Sequence, residues 1–197
     1  MPRRPTRTVP TVLLTGPIGG RPMDWPQWLA GELTGAGREV RHCRPAVADR
    51  PNLADWLPRL SETLSGLADD GFDVVAHSLG CLLWLHHAGA APVGAPRPAR
   101  VALVSPPAAE QAPAEWQSFF PVPLRVDDVR RAADGTVLVG GADDPYCPGG
   151  VAQVYGTQLK MAATVLPGAG ALTADTGYGP WPAVLDWCGR DNLAFIA

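Results

Sequence analysis

Apolar positions along the chain fall into short β-rich runs that alternate with stretches of helical spacing. Residues 11–15 (TVLLT) are largely apolar and stop at a glycine-rich 16–20, as expected of a parallel strand buried on both faces. Helical spacing follows at Trp25, Trp28, Leu29 and Leu33, ended by 34–37 (TGAG), and the weakly alternating 38–44 suits a more exposed second strand. Asn52 is placed to cap a helix over 52–67, whose stripe runs through Leu53, Trp56, Leu57, Leu60, Leu64 and Leu67. Pro58 inside that stripe predicts a kink or a late start.

Further strands are expected at 72–76, 100–105, 136–140 and 163–166, with helices at 79–90, from 148 or 149 to 160, and at 181–196. Residues 108–133 keep no single period and hold Pro113, Pro121 and Pro123 around Trp116, Phe119 and Phe120. Such a segment reads as a lid or pocket loop with short helices, or as aromatic cover for the core. The alternation as a whole predicts a three-layer α/β domain over 11–197, with a mostly parallel sheet of about six strands, preceded by a flexible tail at 1–10. In such sheets the site lies beyond the carboxyl ends of the strands.

The most informative stretch is 72–90, FDVVAHSLGCLLWLHHAGA. A short apolar strand, a turn carrying Ser78 and an apolar helix from Leu79 make the strand–elbow–helix arrangement of an α/β-hydrolase nucleophile. A tight turn there lifts a serine hydroxyl clear of the sheet and aims the first helical amides at a developing oxyanion. The pattern is small-x-Ser-x-small, with Ala76 in the first small position and Gly80 in the second. A serine that merely caps a buried helix is the plainer alternative.

Composition narrows the class. A net charge of −3 argues against nucleic acid, no apolar run reaches the roughly 18 residues of a membrane span, and 46% hydrophobic content excludes a disordered chain. Four scattered cysteines lack metal-ligand spacing, so no metal, cofactor or disulfide framework is expected, and a cytoplasmic location fits. The basic MPRRPTR start has no apolar core segment and does not read as a secretory signal. One lysine among 16 basic residues, with 22 glycines and 22 prolines, suggests GC-rich bacterial coding. The expected partner is a small molecule, with the chain a monomer or homodimer.

A serine hydroxyl needs a base and a carboxylate that orients it, and in this fold they follow in the order serine, acid, histidine. Asp144 stands after the fifth strand, stiffened by Pro145, with Asp143 as its rival; both could instead bond their own turn amides. The histidine is due after the sixth strand, where none occurs. Of the four histidines, His77 adjoins the serine, His86 and His87 lie along the following helix, and His42 is on strand two.

VVAHSLGC, GADDPYCP and LPGAGALTADTGYGPWP resemble the signature blocks of the small serine hydrolases that include retinoblastoma-binding protein 9. The resemblance implies Ser78 as nucleophile, Asp144 as acid and a general base at position 171, which here is Ala171, engineered or naturally degenerate. It also implies oxyanion donors at Leu79 and in the loop near Pro17. Proline has no N–H, which leaves Ile18 or a water for the second donor. His77, Pro17, Phe119, Phe120, Tyr146 and Trp181 are the expected pocket neighbours. The implied chemistry is cleavage of a small carboxylic ester, amide or thioester. A repurposed non-hydrolytic enzyme of the cyclase or lyase type, or a ligand- or partner-binding pseudohydrolase, is the alternative.

Overall fold

The structure, a computed structural model, describes residues 9–17, 22–43, 50–68, 71–92 and 94–190. Six strands, β1 (Thr11–Thr15), β2 (Val40–Cys43), β3 (Asp73–His77), β4 (Arg100–Val104), β5 (Gly135–Gly141) and β6 (Ala163–Leu166), form one sheet in the order β2-β1-β3-β4-β5-β6. Every pairing is parallel. The strand order reverses direction at β1 and β3, so the carboxyl ends of these strands flank the crevice where α/β sheets place their sites.

The two-residue period of the strands divides the core. Val12, Leu14, Val74, Ala76, Val101 and Leu103 face one layer, which holds α2 (Leu53–Leu64), α3 (Leu79–Ala90) and α4 (Val126–Ala132). Leu13, Val75, Ala102 and Val104 face the other, covered by α1 (Trp25–Gly35) and α6 (Pro182–Gly189). The helix after the elbow, α3, is apolar on all sides because it is the central one: Leu79 through Leu85 are all buried.

Several boundaries differ from those read in the sequence. α2 begins at Leu53, where Asn52 Oδ1 accepts from Ala54 N at 2.9 Å, so Pro58 lies inside the helix and does not delay its start. The segment 108–133, read as a lid or pocket loop with short helices or as aromatic cover, holds two 3₁₀ turns, Ala109–Gln111 and Ala114–Phe119, followed by α4, the helix connecting β4 to β5. After β5 the chain turns at 147–150 and enters a helix later than expected, as a π-helical stretch Ala152–Gly156 leading into α5 (Thr157–Leu159). α6 ends at Gly189, and the rest of the predicted final helix beyond Arg190 lies outside the described residues, as does the tail at 1–8. Val9 and Pro10, assigned to that tail, are anchored: their carbonyls accept from Arg38 Nη2 at 2.8 Å and Asp73 N at 2.9 Å.

Four buried, unbridged cysteines sit in separate elements, and among the described residues no helix is long and apolar enough to cross a membrane. At the amino ends of the strands, opposite the elbow, a buried ion cluster ties the layers together. Arg100 donates to both oxygens of the fully buried Asp73 at 3.1 and 2.5 Å, and Arg38 Nη2 is 3.9 Å from Oδ2. The same guanidiniums reach the end of α6, Arg38 through the Cys188 carbonyl and Arg100 through that of Trp187, over whose ring it sits at 4.3 Å. Removing one partner of such a group leaves uncompensated buried charge. Asp73→Asn is therefore expected to cost about 3 kcal/mol or more in urea unfolding, a large share of the stability of one domain.

Candidate active site

The elbow at Ser78 is built by close backbone approach. Ser78 has φ 55° and ψ −126°, a conformation disfavoured for a residue with a side chain, and it is 4% exposed. Its N–H donates to Val104 O at 3.0 Å and its carbonyl accepts from Cys81 N at 2.9 Å, so β4 and the first turn of α3 both hold it. Gly80 is required here: a Cβ at that position would lie 2.2 Å from Leu14 O. At Gly16 a Cβ would lie 3.1 Å from Leu79 N, so the loop leaving β1 passes directly over the first amide of α3, which the helix itself leaves unpaired. Pro17 is exposed, and Ile18, the expected second donor, lies outside the described residues.

Asp144 follows β5 and is 3% exposed. Its Oδ1 accepts from Tyr146 N at 2.9 Å, and its own carbonyl accepts from Cys147 N at 3.1 Å. Burial pushes its carboxyl up to about 6; the Tyr146 amide and the Ser105 hydroxyl oppose that rise, and the neighbouring charge of Asp143 adds to it. Its negative charge also helps to raise Cys81, in the first turn of the elbow helix, and Cys147, although burial is the main cause for both. Asp143, the rival acid, is exposed and serves the fold instead. Its Oδ1 accepts from Gly170 N at 3.0 Å, joining the β5 turn to the loop after β6.

That loop carries Ala171, and it is clamped from three sides. Gly170 lies so close to β5 that a Cβ on Gly141 would meet its carbonyl oxygen at 2.1 Å. An N–H of His77, at Nε2, donates to Ala171 O at 2.9 Å, while Trp25 Nε1 donates to Leu172 O at 3.0 Å and Asp24 Oδ1 accepts from Ala174 N at 3.0 Å. Leu172, with φ 50°, and Gly170, with φ 51°, let the chain turn sharply enough to present these groups. Ala171 is 8% exposed, and its side chain is a methyl.

Each histidine has a place of its own. His77 continues the parity of Val75 onto the α1 and α6 face, where its fully buried ring meets Trp25 edge-on at 5.3 Å, so it acts as a strut for the 171 loop rather than as a pocket wall. His86 Nε2 pairs with Phe119 O at 2.8 Å. His87 packs on Trp84 and is lowered by burial, beside a cavity of about 370 Å³ at the far end of α3. His42 lies in edge strand β2, with β1 between it and the elbow.

The expected pocket aromatics divide in the same way. Phe119 is fully buried edge-on against Trp56 at 5.0 Å, and Trp181 is buried between Trp25 and Tyr178, so both pack in the two core layers. Tyr146 stays partly exposed beside Trp116, at 5.3 Å, with its carbonyl accepting from Ala108 N, and Phe120 is half-buried next to Phe119. Sequence reasoning missed the Asp24–Trp25 clamp, whose signal was the polar residue directly ahead of a tryptophan-rich helix, and Ser105 at the end of β4. Among the described residues no group of three or more histidine, cysteine or acidic side chains could hold a metal ion.

A parallel six-stranded sheet, a strained serine elbow at its carboxyl edge and a buried carboxylate after β5 define an α/β-hydrolase. The sequence matches the serine hydrolase family over residues 11–189, and the chain belongs to that family. The fold is similar to that of the ydeN gene product from B. subtilis, with TM-score 0.77 and 23% identity over 91% of this chain and 96% of that one. It is also similar to a putative YdeN-like hydrolase from Pectobacterium atrosepticum, with TM-score 0.65 and 19% identity over 89% and 86%. A monoacylglycerol lipase from Paleococcus ferrophilus shares the fold at TM-score 0.56 and 14% identity over 91% and 93%. No curated protein is found to be similar in sequence.

The buried carboxyl makes a prediction about stability. The folded chain holds the Asp144 proton up to about pH 6, whereas the reference carboxyl releases it near 3.8, so between these values the folded state binds more protons and this group's contribution falls as pH rises. Asp144→Asn should therefore gain about 3 kcal/mol over the wild type at pH 7.5, with the gain vanishing below the reference value, near pH 3, as read from urea unfolding at the two pH values.

Proposed function

We propose that the chain is a serine-hydrolase-type protein whose site handles a small carboxylic ester, amide or thioester by acyl transfer to Ser78. Asp144 is its acid, and position 171, where a base belongs, holds alanine. The observation that carries this reading is the elbow: a non-glycine residue at φ 55°, with Gly80 and Gly16 packed to backbone contact around it. Strain of this kind persists where surrounding structure over-determines it, and at position 78 it serves to lift a hydroxyl to the sheet edge.

In acyl transfer the Ser78 oxygen attacks the carbonyl carbon, and the oxyanion forms against the Leu79 amide. The leaving group departs with a proton, and water then releases the acyl group from Ser78. Each step moves a proton to or from an oxygen that, in this chain, has no imidazole at position 171 to receive it. The intrinsic rate is accordingly expected to lie several orders of magnitude below that of a complete triad. A second reading, in which the site has been repurposed for non-hydrolytic chemistry or for binding, is favoured by Pro17, which cannot donate an N–H where the second oxyanion donor belongs.

Ala171→His separates the two. With a short-chain aryl ester, the variant is expected to gain on the order of a thousandfold or more in kcat over the wild type, and Ser78→Ala in the same background should abolish the gain. A folded Ala171→His protein without Ser78-dependent turnover would favour the repurposed site.

A further inference from the structure

Ser105 occupies the position between the two halves of the site. It closes β4, and β4 lies between β3, which delivers Ser78, and β5, which delivers Asp144. The backbone joins all three at this level: Ser78 N donates to Val104 O at 3.0 Å and Ser105 N donates to Val139 O at 2.8 Å.

Two features of Ser105 have no structural explanation in the fold alone. Its φ is 47°, left-handed backbone that a glycine would adopt without strain. Its hydroxyl oxygen is buried, on a residue 3% exposed, and closes no hydrogen bond within the described residues. A buried orphan hydroxyl is disfavoured, and groups of this kind gather where a site requires them. The Ser105 hydroxyl favours the charged form of the Asp144 carboxylate. Tyr146 N already donates to Asp144 Oδ1 at 2.9 Å, and the Ser105 hydroxyl supplies a second donor.

We infer that Ser105 is the positioning residue of the site's carboxylate: its Oγ–H donates to ionised Asp144 and, with the Tyr146 amide, fixes the direction in which the carboxylate faces. The inference rests on the reading that Asp144 is the acid of the Ser78 site, but it can be tested at the carboxylate itself. A donor to the charged form holds an acid ionised at lower pH, so loss of the hydroxyl must move the Asp144 titration upward. A merely structural Ser105 would leave that titration in place.

The experiment is a ¹³C carboxyl NMR titration of the full chain as wild type, Ser105→Ala and Ser105→Gly. The glycine variant removes the hydroxyl while relieving the backbone strain, so it keeps the test open if the alanine variant folds poorly. The Asp144 midpoint is expected to rise by about one pH unit in each folded variant, a tenfold loss of ionised form at a fixed pH below the midpoint. In the Ala171→His background, Ser105→Gly should lower kcat by about tenfold with KM little changed and shift the acidic limb of the pH profile upward. An unmoved Asp144 midpoint in a folded Ser105→Gly protein overturns the inference, even where Ala171→His is active. A shifted midpoint together with an inactive Ala171→His protein upholds Ser105 as the carboxylate's partner and sinks the hydrolytic reading instead.

Discussion

Everything at the site depends on one steric arrangement, the contact of Gly80 with the carbonyl of Leu14. α3 must start against β1 with no side chain between them, and that forces Ser78 into the left-handed backbone that raises its hydroxyl. The serine cannot relax without moving the central helix of the molecule, whose residues from Leu79 to Leu85 are buried in the main core layer. The position of Ser78 is thus fixed by the packing of the whole domain together with its backbone bonds to Val104 and Cys81.

The remaining site groups reach the same edge by separate routes. Asp144 arrives on β5 and is pinned by the Tyr146 amide, while Asp143 next to it reaches across to Gly170. The loop of residue 171 is held from the other layer by His77, Trp25 and Asp24. The loop is thus held on its backbone, whichever side chain stands at position 171. Burial raises the Asp144 carboxyl to about 6, and the neighbouring charge of Asp143 adds to the rise. At the opposite edge, Asp73, Arg38 and Arg100 hold the strand starts and α6 together.

Much of this was legible in the sequence because it is written in local patterns. The six strands, the elbow helix at 79–90 and the small residues around Ser78 follow from two-residue and 3.6-residue periods and from turn chemistry. What local pattern could not supply was long-range geometry. His77 reads as a neighbour of the nucleophile, yet strand parity turns its ring to the opposite layer, against Trp25. Phe119 reads as a pocket aromatic, yet the 3₁₀ turn that carries it lies over α2 and buries it on Trp56. The late start of the helix after β5 reflects a Pro-Gly-Gly run whose turn, closed by Gly150 N to Cys147 O at 2.8 Å, consumes residues that a period count assigns to the helix. Ser105 passed unnoticed because its significance lies in a positive φ and in its place between two strands, neither of which shows in a one-dimensional pattern.

The central claim is that Ser78 stands ready at the sheet edge and lacks its base. Reaction of a fluorophosphonate probe, followed by intact mass and peptide mapping, tests it most directly, because phosphonylation needs an activated serine but no substrate fit. The account predicts one adduct, on Ser78, forming at least a hundredfold faster in Ala171→His than in the wild type. Equal labelling of Ser78 in both proteins, or no labelling of a folded Ala171→His variant, would contradict it.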